Sequence, residues 1–166
     1  MIKEQIDRLE NIIDTEISGY KNIEKLYTDK KEMLIHGKAS DLHKIDEQIM
    51  DTYKNITSCA DARKEMSTVL NIPNFSMTDI INKVKESDEE AAQKFEVKKA
   101  KVNELAKKIF ELEKTNIELL KHGMHVTNKT LEIIVKGLKP VTNEYNQRGR
   151  NITKDQLEMS SIIEEA

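Results

Sequence analysis

DEEAAQKFEVKKAKVNELAKKIFELEKTNIELLKHGMHVTNKTLEIIVKGL, residues 88–138, carries the longest apolar pattern of this chain and points to a helical architecture. Phe95, Val102, Leu105, Ile109, Leu112, Asn116, Leu120, Met124, Leu131, Ile134 and Leu138 recur in it at the spacing of one helix face, with no proline to interrupt them. From Leu112 to Met124 the intervals are consecutive fours, a stutter that loosens supercoiling locally. Ser87 stands ready as an N-cap, and Asp88, Glu89 and Glu90 place negative charge at the positive end of the helix dipole. The pattern predicts one helix over 88–138, about 75 Å long at about 1.5 Å per residue. His122-Gly123 is its predicted bend, because glycine costs about 1 kcal/mol inside a helix.

Two shorter seams precede it. Ile6, Ile13, Tyr20, Tyr27 and Leu34 fall at intervals of seven, with Ile2, Leu9 and Ile23 between them, and Ile12, Leu26 and Met33 widen the stripe to bundle width. Glu16 and Lys30 interrupt this stripe, and each is expected at its rim. Gly37 predicts a left-handed helix end, and Ser40 or Asp41 is placed to cap the next helix. That second helix carries Leu42, Ile45, Ile49, Ile56, Cys59, Met66 and Leu70 on one face, with Thr52 and Arg63 also in the stripe. Arg63 reads as a stem lying on the core with its guanidinium in water. Pro73 is the predicted stop, and Thr78 the predicted cap of a short turn holding Ile80, Ile81 and Val84 at one end of the bundle. A first helix over 2–35 reaches only about 50 Å, so the 88–138 helix has to overhang or bend. Apolar residues near its end are thereby left uncovered: Leu131, Ile134, Val135 and Leu138.

After Pro140 the patterning fades, and Val141, Tyr145, Ile152, Leu157, Met159, Ile162 and Ile163 are scattered among polar residues. Thr153 with Gln156 forms a potential capping box, although a helix of about a dozen residues is marginal alone. The expectation is an all-α fold: an elongated antiparallel three-helix bundle or coiled coil with a short fourth helix, residues 1–139, then a flexible carboxyl-terminal tail, 140–166.

Composition narrows the function classes. Five glycines and two prolines in 166 residues are too few for the turns of a sandwich or barrel. Twenty-seven basic and thirty acidic residues are interspersed, so nucleic acid and anionic membranes are not expected partners. No apolar run approaches the roughly 20 residues of a membrane span, and no signal-peptide pattern opens the chain, which points to a cytoplasmic protein without membrane insertion. The sequons at Asn55, Asn128 and Asn151 therefore carry no expectation of glycosylation.

Catalytic patterns are missing in the same way. The di-iron bundle motif Glu-x-x-His does not occur, and His122 and His125 have no matching ligand pair elsewhere, so no metal or cofactor is expected. Cys59 lies in a seam, where an inert core thiol is the plain reading. Asn116, also in a seam, either sets register or rests against solvent at the rim.

The order of these features resembles the FlgN-type flagellar export chaperones over nearly the whole chain. His36-Gly37-Lys38-Ala39-Ser40-Asp41-Leu42 stands where that family turns into its second helix. Arg63, Val69-Leu70, Pro73 and Thr78 to Ile81 follow its second-helix ending, and Asn116, Leu119-Leu120, Asn128 and Leu131 its third helix. Tyr145-Asn146-Gln147-Arg148-Gly149 departs from the Tyr-Gly-x-x-Gly-like tail, and the Asn-x-x-Asn-Gly doublet is missing. The resemblance implies a cytosolic, non-enzymatic chaperone, a monomer or weak homo-oligomer. It would bind the hook-filament junction proteins FlgK and FlgL, keep their terminal helices from premature assembly and deliver them to the export gate protein FlhA. Leu131, Ile134, Val135 and Leu138 are then the expected groove for a client helix, with Tyr145 and Ile152 contributing from the tail. A self-assembling coiled-coil protein and a filament-cap chaperone of similar build are the alternatives, and mass in dilute solution separates the first of these from an escort.

Overall fold

Gly37 ends the first helix as its sequence predicts. It sits at φ +67°, the amide of Lys38 donates to the Met33 carbonyl at 2.9 Å, and that of Gly37 donates to Leu34 at 3.4 Å. These are the paired bonds of a Schellman end. The computed structural model describes residues 3–72 and 76–138. Within them lie helix α1, Lys3–Ile35; a 3-10 turn, Ala39–Asp41; α2, Leu42–Val69; α3, Met77–Lys85; and α4, Glu89–Leu138. Backbone contacts divide the chain into two units, Met1–Met124 and His125–Ala166.

The second helix stops by the same device as the first, earlier than Pro73 suggested. Asn71 takes φ +55°, and the amides of Ile72 and Asn71 donate to Ser67 and Thr68 at 2.9 and 3.1 Å. Asparagine tolerates the left-handed region better than other side chains. Ile72 then folds under the end of α2 and is buried.

Three predicted caps differ. Asp41 precedes α2 but makes no side-chain cap; its carboxylate accepts from Lys44 at 3.1 Å instead. Ser76, not Thr78, caps α3: its hydroxyl oxygen accepts from the Asp79 amide at 3.1 Å, and its O–H donates to the Asp79 carboxylate. Thr78 accepts from Lys99 Nζ at 2.9 Å and so ties α3 to α4. Asp88, not Ser87, caps α4 by accepting from the Ala91 amide at 2.9 Å. Ser87 closes α3, donating to the Val84 carbonyl at 3.0 Å.

The core of the first unit forms in two stretches. In one, Ile6, Leu9, Ile13 and Ile17 of α1 meet Ile80, Ile81 and Val84 of α3 and Ala92, Phe95 and Leu105 of α4. In the other, Ile23, Leu26 and Tyr27 of α1 meet Ile45, Ile49 and Ile56 of α2 and Ile109 of α4. Ile6, Ile13 and Ile23 thus sit where the heptad pattern puts them, Ile17 is buried although the predicted stripe did not include it, and α3 covers one end of the bundle. Gly19 lets α1 and α2 approach, since a Cβ there would lie 2.6 Å from Ile56 Cγ1.

Polar ties set direction and register. Lys30 meets Asp46 at 2.6 Å, Asn22 donates to Thr52 at 3.1 Å and Arg63 meets Glu16 at 3.5 Å, so α2 runs antiparallel to α1. Lys98 bridges Glu10 and Asp14 at 2.9 and 2.6 Å, Lys108 meets Glu24 at 3.7 Å, and the Tyr27 hydroxyl donates to Glu113 at 3.4 Å. Helix α4 therefore runs parallel to α1.

Two polar readings need correction. Glu16 is buried, not at the rim, and Arg63 does not hold its guanidinium in water: the two charges meet between α1 and α2. Burial helps push the Tyr20 hydroxyl above its ordinary pKa, and the neighbouring Glu16 carboxylate adds to the rise. Asn116 is 2% exposed, so solvation at the rim is excluded. Its amide nitrogen donates to the Tyr27 carbonyl at 2.9 Å, while its Oδ1 is buried and, among the described residues, has no hydrogen-bond partner.

Candidate functional site: the apolar face near the end of the fourth helix

Helix α4 runs through His122-Gly123 without a break. Within the second unit, residues 125–138 form its last turns. Helicity here has local supports. Glu132 receives Lys136 at 2.8 Å and Lys129 at 3.2 Å, and these two lysines hold its carboxyl below the usual range. Thr130 donates to the Val126 carbonyl at 3.0 Å.

Leu131 and Ile134 are 53% and 49% exposed, and Val135 is half-buried. At about 100° per residue these three share a face with position 138. Leu138 is the last residue of the helix, and its side chain lies outside the described ones. Tyr145, Ile152 and the Thr153–Gln156 capping box also lie outside the described residues. A second apolar pair, Val126 and Ile133, is exposed on roughly the opposite side. Sequence reading passed over this pair because it followed the bundle seam, although the seven-residue interval between the two is itself a heptad signal.

This surface offers branched apolar side chains around one carboxylate, Glu132, paired with Lys129 and Lys136. Among the described residues, no group of three or more His, Cys, Asp or Glu side chains is arranged to hold a metal ion. Cys59 is half-buried, not in the core as expected, and burial pushes its thiol pKa up, with Glu16 adding to the shift. Among the described residues no helix is long and apolar enough to cross a membrane.

A family model described as the FlgN protein matches residues 1–152. The chain belongs to the FlgN family. No curated protein and no solved structure matches it. FlgN proteins are cytoplasmic, non-enzymatic flagellar export chaperones that bind hook-associated proteins. The matched span includes Leu131, Ile134 and Val135.

Proposed function

We propose that this chain escorts the hook-filament junction proteins FlgK and FlgL by taking a terminal amphipathic helix of the client onto Leu131, Ile134, Val135 and Leu138. Tyr145 and Ile152 add contacts from the carboxyl-terminal segment, and the loaded chaperone hands its client to the export gate protein FlhA. The supporting observation is that large branched side chains at helical spacing stand about half exposed on one helix face. A monomeric soluble protein rarely leaves such a contiguous surface without use.

Covering the exposed half of Leu131 and of Ile134 contributes about 1 kcal/mol each, and a charge in place of either adds a desolvation cost. Leu131→Asp with Ile134→Asp thus weakens a terminal-helix peptide of FlgK or FlgL by ~3 kcal/mol, roughly 150-fold in Kd by titration calorimetry. Helicity by circular dichroism stays near wild type, because both positions face solvent. Unchanged affinity removes the face as the client site. A tight dimer of the free chain that the same double variant dissociates assigns the face to self-assembly.

A further inference from the structure

Phe110, Ile117 and Met124 stand seven residues apart on α4 and are 64%, 45% and 66% exposed. Successive members drift only about 20° around the helix, so they form a nearly straight apolar ridge within the first unit. Lys107, Lys114 and Lys121 repeat at the same interval, all exposed, about 40–60° round from the ridge. Among the described residues none of these three lysines has a carboxylate oxygen within 4.0 Å, although Glu111 and Glu118 stand within a turn of them. Neighbouring cations behave otherwise: Lys101 and Lys108 are both held by Glu104, at 2.9 and 2.8 Å. On the other flank the carboxylate of Glu113 is engaged by the Tyr27 hydroxyl.

A ridge with a seven-residue repeat is complementary to another helix and to little else, because only a supercoiled helix keeps step with it over successive heptads. Its unpaired positive row on one side supplies the position and sign of the flanking charges. We propose that this face docks an amphipathic helix of a partner protein whose apolar seam is edged on the facing side by glutamate or aspartate. Phe110 and Ile117 are the anchors, with large apolar area yet to be buried, and the lysine row sets orientation and on-rate. This site uses residues other than those proposed for the junction-protein client and does not depend on that reading.

The test uses the full chain and two synthetic three-heptad helices with leucine seams, one carrying glutamate and the other lysine at the flanking positions. The acidic helix binds at least tenfold tighter than the basic one by fluorescence anisotropy, and the difference shrinks as salt rises. Phe110→Asp with Ile117→Asp abolishes binding, Lys107→Glu with Lys114→Glu and Lys121→Glu inverts the preference, and Leu131→Asp with Ile134→Asp changes neither. Equal binding of the two helices overturns the proposal, as does loss of binding in the Leu131/Ile134 variant alone. Sedimentation showing a dimer that Phe110→Asp dissociates gives the face to a second copy. Tighter binding of a peptide of residues 150–166 than of the acidic helix gives it to the chain's own carboxyl-terminal segment. Either of these results also overturns the proposal.

Discussion

Replacing Asn116 by leucine stabilises this protein, even though it removes a hydrogen bond. The amide nitrogen of Asn116 donates to the Tyr27 carbonyl at 2.9 Å, a bond with a net value of about 1 kcal/mol. That carbonyl lies inside α1 and keeps its place in the helical ladder without Asn116. Against this loss stands Oδ1, buried with no partner among the described residues, whose desolvation costs about 1–3 kcal/mol and vanishes with the amide. Leucine also buries apolar surface worth about 1.5 kcal/mol or more, offset by about 1–2 kcal/mol for the extra volume in a packed seam. The balance is ~1–2 kcal/mol in favour of the variant, a rise in Tm of about 2–8 °C for a chain of this size. Differential scanning calorimetry of both proteins at one concentration reads it. A fall in Tm refutes the reasoning, because it means that Oδ1 belongs to a satisfied polar network, with a buried water as its partner. The same samples in the ultracentrifuge report on register: a variant that is more stable yet populates several association states identifies Asn116 as a residue that trades stability for a single pairing.

Two glycines separate propensity from packing. Gly123→Ala meets no atom of the described residues within 4 Å and raises stability by about 1 kcal/mol through helix propensity, whereas Gly19→Ala drives a methyl into Ile56 Cγ1 and lowers Tm, the overpacking cost of about 1–3 kcal/mol exceeding the same gain; equal shifts in the two melting curves contradict the close approach of α1 and α2. Acid weakens the α4 surface in a defined window: hydrogen bonds from Lys108 and Lys101 hold the Glu104 carboxyl at about 2, below its unfolded value of about 4.3. Its contribution is therefore complete above the unfolded value and disappears as pH falls toward 2, which carboxyl-carbon NMR titration checks; a Glu104 midpoint at the ordinary glutamate value is the contrary result.

Sequence alone determined the order and approximate limits of the four α-helices among the described residues, because that information is local. Heptad spacing marks which side of each helix avoids water, and Gly37 marks a left-handed stop wherever the chain folds. The apolar stripe of Leu131 and Ile134 was also legible, since its helical spacing is local, and both side chains are about half exposed. Tertiary structure decided the fate of each polar residue inside those stripes. Glu16 and Arg63 look like two separate interruptions until α1 and α2 are laid antiparallel and the charges meet. Asn116 is balanced between rim and core until Tyr27 is placed against it. Ser76, Thr78, Ser87 and Asp88 are all competent caps, and the choice among them follows from where α3 docks on α4. The physical reason is range: burial of apolar surface follows a periodic pattern within one segment, whereas a polar group's energy depends on a partner contributed by another segment, at a distance along the chain that periodicity does not encode.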